Sequence, residues 1–371
     1  MDTLLNTLVP HPGEFIREEL EARGWTQRDL AFVLGLQESA VNPILNGGRG
    51  ISPAMAKSLA DAFDVDAQFF MNLQHSFDLS KAPQPDPGVA KRGRLQEYFP
   101  VREMIKRGWL ADIDAGMLEL QIALFFNAGS AQELPYLRHA AKKTYYEETP
   151  PAQLAWLFRV RQIAESMTAP SYSNLKLSAS LTKLASLMTA PEEVRHVPRI
   201  LNECGVKLVI VEALPGSQID GVCFWLNGTP VIGMTIRRDK IDNFWFVLRH
   251  EIEHVLLRHG TNKECIDEDL GGEEPANQSE EEKLANIAGR EYCVKSADLE
   301  DFILRVQPYF SEERVLLFAQ RINVHPGIVV GQLQRRLDRW NFLTKHQSKI
   351  RQFLTSSATT DGWGLIYPVD L

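Results

Sequence analysis

The chain has 371 residues, 44% of them hydrophobic, which is enough apolar side chain for more than one buried core and too much for a disordered polymer. A formal net charge of −8 excludes a protein that coats nucleic acid non-specifically, and no apolar run reaches the roughly eighteen residues of a membrane span. The four cysteines (Cys204, Cys223, Cys265, Cys293) form no CxxC pair, and the N-terminus lacks a signal-peptide pattern. Reduced thiols in a soluble, cytoplasmic protein with no membrane partner are the expectation.

In chain order, the first predicted helix opens on Pro12 and closes at Gly24, with Phe15, Ile16 and Leu20 at helical spacing. A second starts on Thr26, a favourable N-cap, and stops at Gly35. The turn "LGLQ" leads to a third, starting near Gln37, and a fourth opens with a Ser52 cap and Pro53 at its first position. Two short helices joined by a glycine-bearing turn are the helix-turn-helix arrangement, so residues 1–79 form the first predicted domain. Its recognition face presents Gln37, Glu38, Ser39 and Asn42, of which Gln and Asn can read adenine; Pro43 constrains the helix after its first turn. Arg49 adds one of the domain's few cations. Residues 1–79 hold five Lys/Arg against eleven Asp/Glu, a poor phosphate surface, so a protein-docking role stands beside operator binding. Residues 80–107 carry seven basic and three acidic side chains, and Lys91, Arg92 and Arg94 could form an arm on the DNA backbone.

The proline-spaced "SKAPQPDPGVAKRGR" predicts a linker over 80–94, followed by a helical scaffold over 95–200. Beyond it, "GVKLVIVEAL", "IDGVCFWLNG" and "TPVIGMTI" predict three strands of a small antiparallel sheet, with helices after them to near the C-terminus. The predicted fold class is mainly α with a small antiparallel β-sheet (α+β), the last domain covering 201–371. "QLQRRLDRWNFLTKHQSKIRQF" predicts a basic amphipathic helix with a solvated face.

The chemistry concentrates in "RHEIEHVLLRHG", residues 249–260. On a helix, His250 and His254 project to one side and can share a zinc ion, while Glu251 stands beside it, placed to take a proton from the attacking water. Zinc at such a site acidifies that water and polarises a scissile carbonyl. A third ligand is needed, and "SEEEKLANIAGREYCV" offers Glu280, Glu281 and Glu282 behind a Ser279 cap; spacing does not choose among them. His259 is a fourth candidate, though a fourth protein ligand would close the site to water. "ECIDEDLGGEEP" between them predicts a solvated acidic loop. The competing reading is a charged helix held by i,i+4 pairs among Arg249, Glu251, Glu253 and Arg258.

"IDGVCFWLNGTPVIGMT", "NFWFVLRHEIEHVLLRHG" and "EEEKLANIAGREYCV" together resemble the ImmA/IrrE metallo-endopeptidases over roughly residues 200–340. The resemblance implies a gluzincin-type zinc site in which His250, His254 and Glu282 are the ligands, Glu281 is the second choice, and Glu251 is the general base. Glu253 stands where that family usually has glycine, an extra carboxylate beside the metal. The N-terminal stretch resembles Xre-type domains of the HigA antitoxin kind. The two resemblances imply a transcriptional regulator fused to a zinc endopeptidase. It would act, as a homodimer on operator DNA, in a stress, phage-defence or toxin–antitoxin setting, and cleave a repressor or operon partner. Mn²⁺ could replace Zn²⁺ in a His₂Glu site. The alternative is a non-catalytic, antitoxin-like DNA-binding regulator whose zinc is structural or sensory.

Overall fold

The computed structural model describes residues 9–128, 149–261, 265–268 and 279–368, and the chain divides into two compact units, Met1–Asp86 and Pro87–Leu371. No helix among the described residues is long and apolar enough to cross a membrane.

The first unit is five helices: α1 Pro12–Arg23, α2 Gln27–Val33, α3 Glu38–Leu45, α4 Pro53–Phe63 and α5 Ala67–Lys81. Every start but that of α3 carries a side-chain cap. Thr26 and Asp29 form a reciprocal capping box on α2, Ser52 caps α4, and His11 caps α1 by accepting the Gly13 N–H on Nδ1 at 2.9 Å. Ile16, Leu30, Val41, Leu59 and Phe70 meet in one core.

The second unit holds α6 Gly88–Tyr98, α7 Val101–Lys106, α8 Ala115–Phe125, α9 Pro151–Ser166, α10 Asn174–Ser186 and α11 Val197–Glu203 before its sheet strands β1 Lys207–Val211, β2 Ile219–Leu226 and β3 Thr229–Met234. Next come α12 Ile241–Leu256, β4 Cys265–Glu268, α13 Glu280–Cys293, α14 Ser296–Val306, α15 Glu312–Arg321, α16 Pro326–Leu337, α17 Arg351–Leu354 and β5 Thr359–Asp361. The sheet order is β4-β2-β3-β1-β5. Helices cover both faces: Leu208, Ile210, Cys223 and Ile232 pack with α12, while Val209, Val222, Phe224 and Val231 pack with α9. Across the lower layer, Asp361 of β5 accepts from Trp109 Nε1 at 2.9 Å and Arg159 Nε at 2.5 Å, with both ion-pair partners 1% exposed.

Several expectations need correction. The α+β class stands, but the sheet is mixed: β2 is antiparallel to β3 and β4, whereas β1 runs parallel to β3 and β5. Strand β1 is buried along its whole length, the pattern of a parallel strand covered on both faces. The stretch 80–94 is not an extended linker, since α5 runs to Lys81 and α6 begins at Gly88; only 82–87, where the prolines lie, is non-helical. Residues 95–200 are no separate scaffold, because α9 lies on the sheet and the unit runs unbroken from Pro87. The basic C-terminal helix breaks at Asp338, whose φ of 51° ends α16. The expected acidic loop begins as strand β4; its remainder, 269–278, lies outside the described residues.

Candidate functional site

Helix α12 is apolar over its first half, where Phe244, Trp245, Val247 and Leu248 are buried, and this anchors the polar second half against β2 and α13. His250, Glu251 and His254 are each fully buried. The two imidazoles meet at Nε2···Nε2 3.1 Å. Ser279 caps α13 by accepting the Glu282 N–H at 3.2 Å, and Glu282 turns its carboxylate between the rings: Oε2 is 3.4 Å from His250 Nε2 and Oε1 is 3.4 Å from His254 Nε2. The neighbouring acids face elsewhere. Glu280 pairs with Lys283 at 2.7 Å, and Glu281 lies 3.8 Å from His259 Nε2 with its side chain 58% exposed. Of the three glutamates, Glu282 is the one whose carboxylate faces both imidazoles.

The donor set fits a metal. Zinc held tetrahedrally by nitrogen and oxygen at its usual bond lengths spaces its ligand atoms by about 3.3–3.5 Å. The two imidazole nitrogens, 3.1 Å apart, are close to such an edge, and each faces one oxygen of the Glu282 carboxylate at 3.4 Å. Among the described residues, His250, His254 and Glu282 are the group arranged to hold an ion, with two borderline nitrogen donors and one hard oxygen.

Around this cluster the fold fixes orientations. His254 Nδ1 meets His259 Nδ1 at 2.9 Å, and the His259 carbonyl accepts from Trp225 Nε1 of β2 at 2.8 Å, so the sheet sets the ring that steadies His254. His259 therefore stands behind a ligand rather than among the ligands. Glu253 does not crowd the cluster, because Arg249 holds it at 2.7 Å, one turn back on α12. The Arg249 guanidinium also lies 5.8 Å over the Tyr292 ring. Burial pushes the Tyr292 and Tyr172 phenols up from their usual range, so both stay neutral while donating to the Leu181 and Val255 carbonyls. Glu251 points to β2, where Gly221 leaves room for it: a Cβ there would stand 1.9 Å from Oε1. Sequence reasoning missed Gly221, although a glycine inside a strand is the ordinary signal that another group approaches closely.

In the first unit the predicted contacts Gln37, Ser39, Asn42 and Arg49 are all exposed, Gln37 as the N-cap residue of α3 and Arg49 in the turn after it. Glu38, an acid on that face that would repel phosphate, pairs with Arg28 at 2.7 Å. Pro43 is accommodated inside α3 without ending it.

Helices α2 and α3, joined across Leu34–Gln37, define a helix-turn-helix protein. The chain belongs to the helix-turn-helix family, whose HTH_3 model matches residues 16–70. It is 40% identical to virulence-associated protein I of Dichelobacter nodosus, covering 21% of this chain and 74% of that one. It is likewise 40% identical to virulence-associated protein A' of the same organism, over 19% of this chain and 64% of that one, so it spans just under two thirds of that relative. A solved structure described as Pseudomonas aeruginosa antitoxin HigA with higBA promoter is 36% identical over 24% of this chain and 91% of that one, with a TM-score of 0.19.

Proposed function

We propose that this chain is a DNA-binding regulator fused to a zinc-dependent endopeptidase of the ImmA/IrrE kind. The observation that carries the catalytic half is the convergence of His250, His254 and Glu282, the two Nε2 atoms 3.1 Å apart and each 3.4 Å from a Glu282 carboxylate oxygen, with Glu251 buried directly beside them. When bound, zinc supplies a Lewis acid that polarises the scissile carbonyl and acidifies the attacking water. Glu251 accepts the proton from that water and passes it to the leaving amine. His259 keeps His254 in the tautomer that leaves Nε2 as the inward-facing donor. The substrate is a protein, a repressor or operon partner, and Mn²⁺ can occupy the same donors.

The first unit supports operator binding through family membership and an exposed α3, with Gln37, Ser39 and Asn42 reading bases and Arg49 on phosphate. A homodimer doubles these contacts, and Phe32 on α2, 86% exposed, offers apolar surface for one.

A second reading, a non-catalytic regulator with a structural or sensory metal, is favoured by one observation: Glu251 and both histidines have no exposure. Elemental analysis of purified wild type and Glu251→Gln, with cleavage of the N-terminal unit and of operon-encoded partners followed in parallel, separates the two. Near-stoichiometric zinc in both with cleavage only in wild type establishes the peptidase. Zinc in both without cleavage favours the sensory reading, and no metal in either removes both.

A further inference from the structure

The start of α12, the outer side of α16 and the chain after it enclose a cavity of about 760 Å³ whose lining includes none of the metal-cluster residues. Its walls carry five cations, Arg237, Arg238, Lys240, Arg335 and Lys349, brought together from three stretches remote in sequence. Two carboxylates on the same walls, with Asp220 paired to Arg237, offset part of that charge and leave the cations in excess. Asp239 accepts the Ile350 and Arg351 N–H groups on Oδ1 at 2.9 and 2.8 Å, which commits it to the start of α17. Asp242, half-buried in the first turn of α12, has its carboxyl held above the usual carboxylate range by desolvation. Its Oδ2 lies 2.1 Å from where a Cβ on residue 331 would stand, so only glycine lets α16 close over it.

The remaining wall is aromatic and preorganised. Arg335 is placed with its guanidinium 5.5 Å over the Phe246 ring. Arg237 is braced by Asp220 through bonds of 2.7 and 3.2 Å. Trp340 also lines the cavity while 52% exposed.

We propose that this cavity binds a small phosphorylated ligand with an aromatic ring, a nucleotide. The volume is that of a small-molecule site, and the positive end of α12's dipole adds to the cations where the phosphate would lie. Trp340 supplies a stacking surface for a base. An acidic peptide side chain would meet the same cations but would fill a fraction of the volume and leave Trp340 unused. The site does not depend on whether His250, His254 and Glu282 hold a metal.

The test is calorimetric titration of the full-length protein with AMP, GMP and inorganic pyrophosphate, in wild type and in His250→Ala. The second protein removes any phosphate–metal contact that could mimic the site. Saturable nucleotide binding with Kd below about 1 mM is expected in both. Arg335→Gln and Lys349→Gln each weaken it about tenfold, and Lys349 is exposed, so its variant keeps the fold. Trp340→Ala weakens the nucleotide and spares pyrophosphate. Absence of binding up to about 5 mM of any probe, binding indifferent to both cation variants, or binding that vanishes in His250→Ala overturns the proposal. Pyrophosphate binding without any gain from the base overturns the nucleotide assignment, as does preference for a glutamate-rich peptide over every phosphate.

Discussion

Replacing Gly221 by alanine gives the sharpest check on how Glu251 is seated. The added methyl would lie 1.9 Å from Glu251 Oε1 and 2.7 Å from Cδ, so something must move by about 1 Å to restore ordinary contact. Glu251 has no solvent to retreat into, since it is fully buried on α12, and β2 is held by ladders on both sides. Overpacking of this kind costs about 1–3 kcal/mol, which lowers the melting temperature by about 2–8 °C in a unit of this size. A general base displaced by about 1 Å lowers cleavage about 10²-fold. The decisive comparison repeats the substitution on Glu251→Ala. There the carboxylate is gone, the methyl has room, and its cost falls below about 0.5 kcal/mol, a coupling of at least about 0.5 kcal/mol across the pair. Thermal melts of the four proteins in the cycle measure it. Equal costs in both backgrounds, or no cost in wild type, would falsify the placement of Glu251 against β2.

The other outcomes are more direct. Glu282→Ala loses its metal on dialysis while Glu281→Ala keeps it, and His259→Ala weakens metal about 10–100-fold; equal retention in the two glutamate variants contradicts the ligand set. Asp361→Asn strands the buried Arg159 and costs about 3–5 kcal/mol in urea unfolding, and a change below about 1 kcal/mol would refute its structural weight. His11 and His325 begin α1 and α16 in the same "HPG" setting, each accepting a glycine N–H on Nδ1, and burial holds both below the ordinary value of 6.5. Because their folded values are depressed, the stability they carry is complete above about pH 6.5 and is lost as pH falls through the folded values; NMR midpoints at or above 6.5 contradict this. Asn42→Ala reduces affinity for the protein's own promoter by about 1–3 kcal/mol in a mobility-shift titration, and an unchanged affinity removes Asn42 from base reading.

Local chemistry was legible in the sequence wherever it determines structure by itself. Pro12, Thr26, Ser52 and Ser279 mark helix starts through caps and fixed φ, and those helices begin where the residues say. The pairing of His250 with His254 follows from helical period alone. Partnerships between remote segments were not legible. Nothing in "KLVIV" states that it lies parallel to both "TPVIGM" and the late "TTD", since burial on two faces erases the alternation that reveals an edge. The choice of Glu282 over Glu281 depends on how α13 rotates against α12, which spacing along α13 does not encode. Glu253 looked like an intruder near the metal because sequence does not show that Arg249 claims it.

Asp242, Phe246, His250 and His254 lie along one stripe of a single uninterrupted helix, at intervals of four residues. Each step of four advances about 40° round the helix, so the cationic cavity and the metal cluster sit on one slanting ridge at a fixed angular offset. One residue inserted between Phe246 and His250 turns everything beyond it by about 100°, which leaves the residues of both sites in the chain but aims them at different neighbours. The number of residues between the two ends of α12 is therefore as constrained as the side chains that each end presents.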